Sequence, residues 1–373
     1  VLKLRILLIS NYKGDKQESM DRYAILVQQE LAKLSHEIKL IYPPIFFGIF
    51  FTNQKVNKWI GYLDKYLIAP FYFLFVSNFS GSYDIIHICD HSNAIYRRLF
   101  KPQKLVITCH DVLAIRGALG FSDAHCMASK TGILLQKFIV ANLTKIDKIA
   151  CVSKTTLKQL NELSPIPNNE KRYWKYVPNT FNQNFEPIEI SLLTESLSKF
   201  KLKYGNYLLH VGSDLERKNR QLLLNLLSIK TEIRLVVTQP FKSDLPGYVS
   251  NSSNITVLTN LTSSNLAAIY QGAMALVFPS LAEGFGWPII EAQKSGIPVI
   301  CSDIPIHREI AGDAAIFVNS KNPEDWAEAV DSLNDPEKRG SLVLKGFENI
   351  KKYSSQIFTE ELLSLYTSNE ICH

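Results

Sequence analysis

The sequence predicts an α/β protein built from two Rossmann-like, doubly wound parallel-sheet domains facing a cleft. Three observations carry this. Short apolar runs of strand length alternate with longer amphipathic runs along the chain. The alternation breaks once, at 161–190, where Pro, Asn and charge concentrate, and then restarts. The chain has 373 residues, 46% of them hydrophobic, which at roughly 100–200 residues per domain suits two cores.

The first strand is "LRILLIS" (4–10). A helix follows over 19–34, with Met20, Tyr23, Ala24, Val27, Leu31 and Leu34 at helical spacing and Ser19 as its N-cap. Strands are expected at "EIKLIY" (37–42), "YDIIHIC" (83–89), "KLVITC" (104–109) and "KIACVS" (148–153). Residues 161–190 read as the edge of the first domain and a linker. The second half gives strands at 207–212, 233–237, 255–258, 275–280, 297–302 and 314–318, and an amphipathic helix closes the chain at 355–368. The domains run 1–185 and 186–355, with 356–373 as a terminal helix. Ligands bind in clefts between such halves.

Composition narrows the function classes. A formal charge of +6, with no run of five basic residues, excludes the concentrated stripe of a nucleic-acid binder. It suits an anionic small molecule or an anionic membrane surface. Six cysteines form no C-x-x-C pair, and Cys89, Cys109, Cys151 and Cys301 lie in or beside apolar runs. They read as buried thiols in a reducing compartment, which places the chain in the cytosol. The N-terminal run is too short for a signal peptide. No apolar run reaches the ~18 residues of a spanning helix. Residues 43–80 interleave aromatics with Lys55, Lys58 and Lys65. They read as a pair of buried or cleft-lining helices, or alternatively as a membrane-facing patch admitting a lipid-linked acceptor.

Two segments carry chemistry. In "SLAEGFGWPIIEAQKSGIP" (280–298) a strand delivers a glycine loop to the carboxyl edge of the sheet, the binding side of such folds. Pro288 suits a first helical turn, and Gly296 with Pro298 suits its end. A helix N-terminus behind glycines attracts anions, and Glu283 and Glu291 on either side are acceptors for sugar hydroxyls. In "HVGSDLERKN" (210–219), Arg217 and Lys218 flank a second helix N-terminus near Asn219. Cations there oppose the helix dipole, and a bound diphosphate would reverse that penalty. The bland alternatives are a strand–turn–helix with helix-favouring glutamates and a solvated Arg-Lys pair. His87, Asp90 and His91 lie close in sequence, but on a strand end they read as a polar cluster and not as a metal site.

"PSLAEGFGWPIIEAQKSGIPVICSD" resembles the E-x7-E motif of glycosyltransferase family 4, a group 1 family of GT-B fold, and "HVGSDLERKN" resembles its phosphate-binding segment. "VITCHDV", "ACVSKTTLKQL" and "VPNTF" resemble three further landmarks, in the family's order. The resemblance covers most of the chain and is densest over 207–320. It implies a retaining transfer of a hexose from a nucleotide-diphosphate sugar to a saccharide or lipid-linked acceptor, in glycan or cell-envelope biosynthesis. It assigns Glu291 to the ribose hydroxyls, Glu283 to the donor sugar, and Gly284, Phe285 and Gly286 to sugar hydroxyls and the distal phosphate. Arg217 and Lys218, beside Ser213, match the pair that neutralises the diphosphate, and His110 matches a histidine next to the transferred sugar. His110, Glu283, Arg217 and Lys218 are thus the candidate catalytic set, and the last helix is expected to cross back to the first domain.

No D-x-D triplet occurs, so no metal and no cofactor beyond the donor is expected. Same-face attack, with the leaving phosphate taking the acceptor proton, is the expected mechanism. The loop after the first strand, "SNYKGDKQESM", departs from the family in having only Gly14, and no contact is carried over to it. Trp287 reads as packing. Two alternatives remain: a nucleotide-sugar epimerase on the same fold, and a non-catalytic nucleotide- or carbohydrate-binding relic.

Overall fold

The computed structural model describes residues 3–15, 17–47, 61–79, 81–164, 172–181, 183, 185–242, 245–246 and 253–368. Lys55, Lys58 and Cys372 lie outside them. The chain divides into two compact units. One comprises Val1–Leu119, Ala128–Asn182 and Ser355–His373, and the other Gly120–Met127 and Gln183–Ser354.

The first unit holds a six-stranded sheet of β1 (Arg5–Ile9), β2 (Glu37–Ile41), β3 (Ile85–Ile88), β4 (Leu105–Cys109), β5 (Lys148–Cys151) and β6 (Tyr173–Tyr176). All neighbours are parallel, in the order β2-β1-β3-β4-β5-β6. Strands β1, β3, β4 and β5 are buried on both faces because helices cover both sides. Leu7, Ile9, Ile88, Ile107, Cys109, Ile149 and Cys151 share one core with Phe73, Ala94, Ile139 and Leu143. The opposite pleat carries His87 and Thr108 toward Tyr23 of the helix Glu18–Ala32.

Two sequence expectations are corrected here. Residues 161–190 are more than a linker, since β6 lies within them and pairs with β5, with Trp174 beside Ile149. Trp174 is buried and donates its indole N–H to the Ile146 carbonyl at 2.9 Å. The flanking Pro and charge conceal a four-residue strand whose stability comes from its neighbour. Ser19 is not a cap either. The helix starts at Glu18 with Gln17 at the N-cap, and Leu34 lies beyond its end, exposed.

The helix Ser355–Tyr366 belongs to this first unit. Tyr366 Oη bonds His87 Nδ1 at 2.7 Å, and the buried Lys148 donates its Nζ to the Tyr366 carbonyl at 2.8 Å. A cation at the carboxyl end of a helix meets the dipole with the favourable sign.

The second unit repeats the pattern with β7 (Tyr207–His210), β8 (Arg234–Val237), β9 (Ile255–Val257), β10 (Ala275–Phe278), β11 (Val299–Ser302) and β12 (Ile316–Val318). The order is β12-β11-β10-β7-β8-β9, all parallel. This is the dinucleotide-fold order, which reverses between β7 and β10 and opens a crevice at their carboxyl ends. Gly272 makes the close approach behind β7 possible: a Cβ there would sit 2.5 Å from a Leu197 methyl and 2.8 Å from the Tyr207 hydroxyl.

Candidate active site

The carboxyl ends of β7 and β10 deliver the two motifs of the second unit to its switch point. After β7 the chain passes Gly212 and the half-buried Ser213, then makes a 3-10 turn at Glu216–Lys218. Asn219 is left-handed at φ 50°, and the helix Arg220–Ile229 follows with no side-chain cap. After β10, Ala282 and Glu283 turn inward, and Gly286 (φ 96°) opens the helix Trp287–Lys294. That helix also lacks a side-chain cap. A left-handed residue at this position favours glycine.

The two segments meet. Arg217 donates from Nη1 to Glu283 Oε2 and to the Ala282 carbonyl, both at 2.9 Å. Lys218 Nζ reaches Glu283 Oε1 at 2.5 Å, and the Leu281 N–H donates to the Arg217 carbonyl at 2.7 Å. Both cations of the Arg-Lys pair thus have a partner inside the fold. Burial alone would push the Glu283 carboxyl up, but Lys218 and Arg217 overcome it and hold it at about 2. Burial pulls Lys218 below its ordinary value against the pull of Glu283. The ammonium also lies 4.9 Å from the centre of the Phe278 ring. Two cations against one carboxylate leave a net positive charge at the switch point, beside two helix N-termini whose N-cap residues, Asn219 and Gly286, supply no side-chain cap. Such a place attracts a phosphate group.

Beneath this network lie two buried histidines. His210 donates from Nδ1 to the Val277 carbonyl at 3.0 Å, and His307 from Nδ1 to the Ser302 carbonyl at 2.9 Å. Burial keeps them neutral, lowering His210 to about 3 and His307 to about 4. Their Nε2 atoms are buried with no hydrogen-bond partner among the described residues. Sequence reading missed both: His210 reads as one polar residue at the end of an apolar run, and His307 as one of three polar residues, His-Arg-Glu, in a short helix.

Glu291 sits one turn into its helix, buried, accepting from the Tyr270 hydroxyl at 2.7 Å. Tyr270 was also missed. It lies on the core face of the helix Ser263–Gln271, where a buried phenol needs a partner for its hydroxyl. Phe285 is buried edge-on to Tyr353, at 5.6 Å between ring centres, and Trp287 packs edge-on to Phe285 at 6.3 Å.

His110 belongs to the first unit, one residue beyond β4. It is buried, edge-on to Tyr23 at 4.5 Å, and donates from Nε2 to the Cys89 carbonyl at 2.8 Å. Burial lowers its basicity, against the opposing pull of Asp90. Asp90 lies at this sheet's own switch point, after β3. Burial would raise it, but His91, His110, Asn11 and the Ser92 N–H hold it below its ordinary value. Asn11, after β1, also receives the Asn93 amide at 2.7 Å. The cluster sensed at "HICDHSN" is thus a hydrogen-bonded strand-end network. His87 is separate from it, with both ring nitrogens bonded, to Tyr366 and Thr108. Among the described residues, no group of three His, Cys, Asp or Glu is placed to hold a metal ion.

Residues 194–348 match the family described as Glycosyl transferases group 1, a stretch that contains Arg217, Lys218, Glu283 and Glu291. Most of the second unit is thus similar to group 1 glycosyltransferases. Two relatives are O-antigen chain mannosyltransferases. RfbU of Salmonella typhimurium is 28% identical over 42% of this chain and 47% of its own. O-antigen chain mannosyltransferase B of Escherichia coli is 29% identical over 46% and 48%. The chain spans about half the length of the curated relatives it matches. Among solved structures, sucrose-phosphate synthase from Thermosynechococcus elongatus superposes with a TM-score of 0.73 over 100% of both chains, at 16% identity. That likeness shows the shared two-domain GT-B fold.

Proposed function

We propose that the chain is a retaining, metal-independent hexosyltransferase of glycosyltransferase family 4. It moves a sugar from a nucleotide-diphosphate donor to a saccharide or lipid-linked acceptor in cell-envelope glycan synthesis. The observation that carries this reading is the Arg217–Lys218–Glu283 network at the β7/β10 switch point, flanked by the two helix N-termini. The leaving group is a nucleoside diphosphate. Arg217 and Lys218, preorganised by Glu283, stabilise the charge that develops on it as the glycosidic bond breaks. Glu291, oriented by Tyr270, accepts from the ribose hydroxyls, and the backbone of Gly284, Phe285 and Gly286 meets the distal phosphate and the sugar. His110 contacts the transferred sugar, and the acceptor attacks from the face the phosphate leaves, passing its proton to that phosphate. The names of the two relatives favour mannose as the sugar. Free thiols at Cys89, Cys109, Cys126, Cys151 and Cys301 suit action in a reducing cytosol.

A thermal-shift panel of nucleoside diphosphates and nucleotide sugars tests the donor half, since a bound donor raises the midpoint in step with RT ln(1 + [L]/Kd). One nucleotide family should stand out, and slow donor hydrolysis should release a sugar of unchanged anomeric configuration. Inverted product, or tight nucleotide binding without turnover, would overturn the proposal.

A further inference from the structure

The helical run 61–79 exposes large apolar side chains that the sugar-transfer reading does not use. Leu63, Leu67, Phe71, Phe75 and Phe79 recur every fourth residue and are all exposed, the three phenylalanines at 69%, 60% and 77%. Phe75 and Phe79 stack at 4.8 Å, and the helix Ala69–Phe79 contains no charged residue. Beside the row, the half-exposed positions Tyr66 and Tyr72 are aromatic with a polar tip, the residue type that settles at a bilayer interface. The start of the run is anchored at Asp64. Buried Asp64, in the π-turn Asp64–Ile68, accepts from the Tyr12 hydroxyl at 2.7 Å and from the Phe47 N–H at 2.9 Å.

A second helix supplies the charge. Lys130–Leu143 packs into the same sheet-face core, through Ile139 and Leu143, as the first does through Phe73 and Val76. It exposes Leu134 and Phe138 among Lys130 and Lys137, with Lys145 just beyond its end. No acidic residue occurs between Asp123 and Asp147. One face of the first unit therefore combines exposed Leu and Phe with exposed Lys130, Lys137 and Lys145. On the 61–79 side, Asp64 is buried and Asp15 is paired with Lys65 at 2.7 Å. A protein partner could cover the apolar row, but the three exposed lysines of an acid-free stretch and a tyrosine fringe complement the headgroups of an anionic bilayer. No helix among the described residues is long and apolar enough to cross a membrane, so the contact is with a surface.

We propose that this face of the first unit docks on an anionic lipid surface, with Phe71, Phe75 and Phe79 entering the acyl boundary and Lys130, Lys137 and Lys145 meeting the headgroups. The proposal stands apart from the transferase reading, because vesicle binding without turnover would overturn only that reading. The test is sedimentation of the full chain with vesicles of phosphatidylglycerol and phosphatidylethanolamine, against phosphatidylcholine alone. Binding should favour the anionic vesicles and fall with salt. The combined Lys130→Gln, Lys137→Gln and Lys145→Gln variant should lose roughly a hundredfold in anionic-vesicle affinity. The combined Phe71→Ser, Phe75→Ser and Phe79→Ser variant should lose binding to both while keeping its thermal midpoint. If that variant folds poorly, a Phe75→Trp chain read by quenching from brominated phosphatidylglycerol replaces it. No binding, equal affinity for both vesicle types, no quenching, or a wild-type dimer that the serine changes make monomeric would overturn the proposal.

Discussion

Replacing Glu283 with glutamine should destabilise the second unit by roughly 3 kcal/mol at neutral pH. The figure follows from the site. A buried carboxyl held at about 2 in place of its ordinary 4.5 contributes that much, at about 1.36 kcal/mol per pH unit of displacement. The amide keeps the shape but leaves Arg217 and Lys218 facing a neutral group, consistent with the ~3–5 kcal/mol cost of breaking a buried pair. For a unit of this size each kcal/mol moves the midpoint about 2–4 °C, so calorimetry should show a drop of roughly 6–12 °C. The pH dependence has a definite sign. Because the folded carboxyl is depressed, its contribution is fully present above about pH 4.5 and is lost as pH falls through about 2. Urea melts should therefore show a wild-type-minus-variant gap that is flat above pH 5 and shrinks below it. An unchanged midpoint, or a gap that stays constant down to pH 3, would refute the reasoning.

Four more outcomes are expected. Glu291→Ala should weaken nucleotide binding in titration calorimetry, and Tyr270→Phe should do so to a lesser degree. Equal affinity in all three proteins would remove the ribose assignment. His110→Ala should lower turnover with little change in nucleotide affinity. His87, His210 and His307 are held neutral far below the ordinary histidine value, so the unfolded chain takes up protons that the folded one refuses. Stability should fall as pH drops below about 6.5, and His307→Gln should make that fall shallower by about 1.4 kcal/mol per pH unit. Gly286→Ala places a side chain at φ 96° and should cost at least 1–2 kcal/mol, read as a lower midpoint with weaker nucleotide binding.

Strand positions and the two-fold repeat were legible because buried parallel strands are apolar on both faces and are punctuated by helices. β6 was not legible, because Tyr-Trp-Lys-Tyr carries no period and becomes a strand only when β5 offers its edge. The chemistry divides in the same way. The spacing of Glu283 and Glu291 around Gly284 and Gly286 is a local pattern, and it is written in the chain. That Glu283 faces Arg217 and Lys218, some sixty-five residues upstream, follows from β7 and β10 being neighbours at a strand-order reversal. The same pairing answers the local puzzle of two cations at a helix start. Their partner is tertiary, and sequence spacing holds no record of it.

The sequence by itself determined the fold class, the number of sheets and the residue types at the carboxyl edges, because these depend on short-range periodicity and turn chemistry. Only the tertiary structure decided which of those residues share a charge, which histidines stay neutral, and that Tyr270 orients Glu291. Hydrogen bonds and burial act over a few ångströms in space, whatever the distance along the chain.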